Sequence, residues 1–182
     1  SVKVFYNRAQ LVEKAVGTVS KALMEATVLV LVLLVVFLGN ARAAIAVAVV
    51  LPLSALFTFV AMRQAGMSAN LMSLGGLAIA LGMLVDAAVV VVENVVARLG
   101  HPHPGDAQAH HGRLPIVLDA VREVAAPVGA GVLIIATVFL PLLTLQGLEG
   151  KFFAPVALTI VFALAGSLLL SLTVIPVLAS WP

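Results

Sequence analysis

The sequence predicts an all-α integral membrane protein: a bundle of about five transmembrane helices, with amphipathic interfacial helices and a short N-terminal strand. Three observations carry that expectation. Apolar residues make up 63% of the 182 positions, charged residues only 10%, and the mean hydropathy is +1.21. A soluble domain of this length has too little polar surface to cover so much apolar side chain. The apolar residues also gather into five runs separated by short Gly-, Asn- or charge-bearing segments, and roughly 20 such residues suffice for one crossing. Finally, two segments outside the runs show one apolar and one charged face at helical spacing.

The elements follow in order. SVKVFYN, residues 1–7, alternates and is rich in Val, Phe and Tyr, which reads as a strand. Residues 8–25 place Leu11, Val12, Ala15, Val16, Val19 and Leu23 on one face and Glu13, Lys14, Ser20 and Lys21 on the other. That pattern suits a helix at the membrane surface and equally an ordinary soluble helix. Residues 1–25 are thus expected to close an upstream extramembrane segment. Residues 26–99 hold three crossings: 26–38, which with 22–24 makes a first crossing continuous with the surface helix, then 43–62 and 73–96, with a Gly39-Asn40 turn suited to a helix C-terminus. Pro52 is expected to kink the second or free a carbonyl. Residues 100–126 form a loop with His101, His103, His110 and His111, then an amphipathic helix bearing Asp119, Arg122 and Glu123. Residues 127–182 hold two further crossings, at 127–145 and 152–179, the last interrupted by Pro155 and Pro176. Alternate loops place Arg42, Arg98, Arg113 and Arg122 on one side, which favours a cytoplasmic His loop. Both chain ends read as internal to a longer protein, so a fragment is expected.

Composition also excludes. With no cysteine there are no disulfides or thiolate metal sites. The formal charge is only +2 and the basic residues are scattered, so nucleic acid is not an expected partner; the lipid bilayer is.

The chemistry concentrates in SLGGLAIALGMLVDAAVVVVENVV, residues 73–96. Asp86 lies deep in this run and Glu93 near its end. A carboxylate at the centre of a membrane helix costs about 2.5–3.5 kcal/mol on insertion scales. At 100° per residue, Gly75, Gly82, Asp86 and Glu93 fall within about 20° of one direction. Such a stripe is expected to face the interior of a bundle, with the apolar remainder toward lipid. Hydrocarbon favours the neutral acid and a nearby cation the charged one, so an acid held between the two can take up and release a proton. The alternative is a packing acid that never titrates; the relay is favoured because intramembrane acids are functional by default. Glu93 reads equally as a second relay acid or as an interface anchor beside Asn94 and Arg98. No Lys or Arg lies within the five runs, so a cation for Asp86 must come from outside this chain.

Other candidates carry less. The four histidines suit a divalent metal by chemistry, but among Pro and Gly a solvated loop is the better reading. Met24, Met62, Met67, Met72 and Met83 offer thioethers to monovalent copper or silver, yet Met is also ordinary helix filling. Nucleophile triads, a P-loop and HExxH are absent. An enzyme using Asp86 and Glu93 as a pair is disfavoured, because two turns separate them by about 10 Å.

Three segments together, GGLAIALGMLVDAAVVVVENV, FLPLLTLQGLEGKFFAPVALT and SLLLSLTVIPVLA, resemble the resistance–nodulation–division (RND) efflux pumps, in particular the heavy-metal permeases of the CusA/CzcA type. The resemblance spans nearly the whole chain, from the end of the first porter region through transmembrane helices two to six. It implies a proton-driven antiporter exporting metal ions, multi-pass in the bacterial inner membrane. No cofactor is implied beyond the transported protons and metal ions. The implied partners are a second half of the permease, two further copies in a homotrimer, a periplasmic adaptor and an outer-membrane channel. Asp86 falls on the family's proton-relay aspartate and Glu93 on the acid ending the same motif. Ala80 stands where cobalt–zinc–cadmium members have a second aspartate, which favours copper or silver as cargo. Met72 falls where monovalent-metal members have a methionine, whereas Leu84 and Val91 replace further methionines. Alternatives are an RND pump for organic compounds, against which Ala87 argues because that branch has two adjacent acids, and a non-transporting assembly fragment.

Overall fold

The computed structural model describes residues 8–38, 41–100 and 113–180. They form five helices: α1 (Arg8–Leu38), α2 (Ala41–Gln64), α3 (Leu71–Gly100), α4 (Arg113–Leu143) and α5 (Gly147–Ser180). Each contains a stretch long and apolar enough to cross a membrane. The all-helical, five-span expectation therefore holds among the described residues. The expected strand at 1–7 and the four histidines lie outside them.

The first amphipathic segment is continuous with its crossing, as expected, and α1 runs for 31 residues. The other helices differ from expectation at their ends: the second amphipathic segment also runs on into its crossing, so that α4 has 31 residues. The 34 residues of α5 absorb part of the Gly-rich turn before it, and at 1.5 Å per residue they extend about 51 Å, well beyond the ~30 Å hydrocarbon layer. Pro52, Pro127, Pro141, Pro155 and Pro176 all sit inside helices rather than ending them. Each removes one backbone donor, but leaving the helix in an apolar medium would strip several more of partners.

The turns explain the antiparallel order. After α2, Met67 N–H donates to the Met62 carbonyl (2.9 Å) and Gly66 N–H to that of Arg63 (3.1 Å). This pair of bonds is a Schellman motif, and it requires the left-handed φ of 70° that Gly66 adopts. Three residues later Asn70 caps α3. Ser73 N–H donates to Asn70 Oδ1 and Asn70 N–H donates to Ser73 Oγ, both at 2.9 Å, a reciprocal capping box. Between α4 and α5, Gly147 takes φ 74°.

Two apolar clusters fill the bundle at different depths. One joins Val47 and Val50 of α2, Val91 and Val95 of α3, Val117 and Ala120 of α4 and Ile175 of α5. The other joins Val19 of α1, Leu51 of α2, Leu74, Leu77 and Leu81 of α3 and Ile160 and Leu164 of α5. α5 touches α2, α3 and α4, and packs most extensively on α3. There the backbones nearly meet: a Cβ on Gly76 would lie 2.8 Å from the Val156 carbonyl oxygen. α4 is the loosest member of this group. Val117, Ala120 and Val121 are buried, but no residue from Pro127 to Leu143 is.

Candidate functional site

α3 turns one face to the bundle and leaves the other bare. Leu74, Leu77, Ala80, Leu81, Ala88, Val91, Val92 and Val95 are buried, whereas Gly75, Ile79, Gly82, Asp86, Val90 and Glu93 are exposed. The stripe found by angular arithmetic is therefore a real face, but among the described residues no helix covers it. The expectation of an interior stripe is corrected on this point. The physical reason lies in the neighbours: the other four helices bring no Lys or Arg within their apolar runs, and covering the acids with them would bury unpaired carboxylates.

Asp86 opens onto a cleft of about 330 Å³. Met83, Ala87 and Val90 of α3 form one wall, Pro127, Val128, Gly131, Val132 and Ile135 of α4 the other, and Leu164 of α5 the floor. Gly131 leaves open space on its side, since a Cβ there would meet nothing within 4 Å. Apart from the carboxylate the lining is apolar. Neither Asp86 nor Glu93 makes a hydrogen bond or ion pair among the described residues.

Glu93 does not join Asn94 and Arg98, as the interface reading anticipated. Those side chains point about 100° and 140° away round the helix and engage α4. Asn94 Nδ2 donates to the Ala120 carbonyl at 2.7 Å. Arg98 donates to Glu123 Oε2 from Nη2 at 2.9 Å and from Nε at 3.2 Å. The sequence marked Glu123 only as part of a polar face. Its partner lies 25 residues back, a separation with no periodic signal.

The thioethers do not converge visibly. Met72 is 39% exposed in the first turn of α3, about 21 Å along the axis from Asp86. Met62 is buried, its sulfur 3.7 Å from the Thr159 hydroxyl, which donates to the Pro155 carbonyl at 2.7 Å, and Met24 is exposed on α1. Val91 and Ala80 are fully buried in the two clusters. Among the described residues no three His, Asp or Glu side chains are placed to hold a metal.

Residues 1–181 match the model of the AcrB/AcrD/AcrF family. The chain belongs to the AcrB/AcrD/AcrF family. It is 49% identical over 179 residues to the cobalt-zinc-cadmium resistance protein CzcA of Cupriavidus metallidurans, a match covering 94% of this chain and 16% of that protein. It is 40% identical over 179 residues to the cation efflux system protein CusA of Escherichia coli K12, covering 97% of this chain and 17% of that one. The crystal structure of a heavy metal efflux pump superposes with a TM-score of 0.73 at 42% identity, covering 94% of this chain and 16% of that chain. Membership in this family of RND efflux transporters, and likeness to its heavy-metal permeases, agree with the resemblance carried by the three motifs. The chain spans about one sixth of the length of these relatives.

Proposed function

We propose that this chain is part of a proton-driven antiporter that exports metal ions, and that it carries half of the transmembrane proton relay. The observation that supports the reading most directly is Asp86 itself. It is a carboxylate in an apolar span, facing a cleft, without a partner among the described residues. Such an acid is costly unless something outside these five helices pairs with it or it takes a proton. The relay uses both states in turn. A proton reaching the cleft neutralises Asp86; a cation approaching from the uncovered side favours the anion and drives the proton off. One charge crossing 100 mV carries about 2.3 kcal/mol, enough to bias a conformational exchange. Glu93, two turns along the same bare face, is the second acid of this path.

The bare stripe is where the second half of the permease would seat and supply the cation. The whole pump is then a multi-pass protein of the bacterial inner membrane. It would act as a homotrimer with a periplasmic adaptor and an outer-membrane channel. Copper or silver is the favoured cargo. Ala80 offers no second carboxylate for a divalent ion, and Met72 presents a soft thioether at the start of α3. A second reading, cobalt, zinc or cadmium, draws on the higher identity to the cobalt-zinc-cadmium protein, 49% against 40%.

The test is metal resistance of cells carrying the full-length pump with Asp86→Asn. Resistance is expected to fall to the level of cells without the pump, at unchanged protein abundance. Undiminished resistance would remove the relay. Met72→Ala decides the cargo: silver resistance is expected to fall more than zinc resistance, and an equal loss or no loss of either overturns the monovalent assignment.

A further inference from the structure

α4 is anchored firmly at one end of the Asp86 cleft and only lightly beyond it, where Val132 and Phe139, both partly buried, rest against the second apolar cluster. Its anchored end holds Val117, Ala120 and Val121 in the core and carries the bonds from Asn94 to the Ala120 carbonyl and from Arg98 to Glu123. One turn further, Pro127 enters the lining of the cleft. Proline has no amide hydrogen, so the Glu123 carbonyl lacks its helical donor from that position. A helix is most easily bent at such a residue. Beyond it the arm from Val128 to Leu143 has no buried side chain. A buried base, a proline and a lightly packed arm thus follow one another along α4, and the arm is one wall of the cleft.

We infer that Asn94, Arg98 and Glu123 are positioning residues for Asp86: they clamp the base of α4 to α3, and the arm beyond Pro127 sets the width of the cleft and the access of water to the acid. The inference rests on reading Asp86 as the relay. The clamp acts at a distance. Arg98 lies about 18 Å along α3 from Asp86, so its charge is too remote and too well matched by Glu123 to act on the acid directly. It acts through the register of α4. Arg98 is the less exposed partner of the pair, at 22% against 54%, and two of its nitrogens converge on a single carboxylate oxygen. That geometry fixes the rotation of α4 about its own axis and so decides which residues face Asp86.

The experiment uses the full-length pump in membranes, with any cysteine outside this chain replaced; this chain has none. A single reporter, Gly131→Cys, is introduced where a Cβ meets nothing, and its alkylation by N-ethylmaleimide is timed. Glu123→Gln keeps the size of the side chain and removes the ion pair. The alkylation rate of Gly131→Cys is expected to change about two- to fivefold, the population shift a partly exposed ion pair can support. The exchange Arg98→Glu with Glu123→Arg is expected to bring it back toward the parent value. A control cysteine at Leu133, exposed and about 200° round the helix from Gly131, is expected to change little. Equal rates at Gly131→Cys with and without Glu123→Gln overturn the inference, as does a change of the same size at the control. Alkylation does not depend on transport. Failure of the relay would show in Asp86→Asn cells, and failure of the clamp in the alkylation rate.

Discussion

Two adjacent glycines in α3 allow a sharp test of how α3 and α5 are packed. A Cβ added at Gly76 would stand 2.8 Å from the Val156 carbonyl oxygen and 3.1 Å from its Cα, both backbone atoms. A Cβ added at Gly75 meets nothing within 4 Å. Backbone atoms cannot rotate away, so Gly76→Ala must push the two helices apart by several tenths of an ångström. Overpacking of this kind costs about 1–3 kcal/mol. Gly→Ala also gains about 1 kcal/mol of helix propensity, which by itself would blur the result. Comparing Gly76→Ala with Gly75→Ala removes that gain, because both make the same change one residue apart in one helix. The difference of about 1–3 kcal/mol corresponds to roughly 5- to 150-fold in the folded-to-unfolded ratio. Heat-induced unfolding of the purified full-length pump, followed by protease sensitivity, reads it out. The Gly76→Ala protein is expected to melt below the Gly75→Ala protein. If the two melt together, the backbone contact between α3 and α5 is not as close as described.

Further outcomes follow from other contacts. Gly166→Ala would drive a methyl into the ring of Phe57; it should lower the melting temperature, and Phe57→Leu in the same chain should restore part of the loss. Asn70→Ala removes the cap of α3 and is expected to cost about 1 kcal/mol, seen as faster amide hydrogen exchange confined to the first turn of α3. Met62→Leu keeps the volume but loses the Thr159 hydroxyl contact, so a loss below about 1.5 kcal/mol is expected; a larger one would show that the sulfur has a role beyond packing.

Much of the fold was legible because hydrocarbon imposes one rule on every backbone group. The apolar runs located all five spans, and the 100° step placed Gly75, Gly82, Asp86 and Glu93 on a common face. The same rule explains where the reading stopped short. By sequence Pro127 begins a crossing and Pro155 and Pro176 interrupt one, as they would in water, yet α4 and α5 pass through them. Asn94 and Arg98 are near Glu93 in sequence but not round the helix, so their bonds to α4 could not be seen from spacing. The acid pattern places this side of α3 in a bundle interior; that no helix among the described residues covers it is a fact of assembly that local pattern does not encode.

The near-touching backbones at Gly76 and Val156 have a mechanical consequence. At that crossing no side chain separates the acidic helix and α5, and Leu77, Leu81, Ile160 and Leu164 interlock beside it, so one helix can slide past the other only by breaking both contacts. They form a keel, and Asp86 rides on it. On the proposed reading of Asp86, a stroke begun by a proton there would leave as displacement of the whole keel against its surroundings, instead of being absorbed as flexing within it.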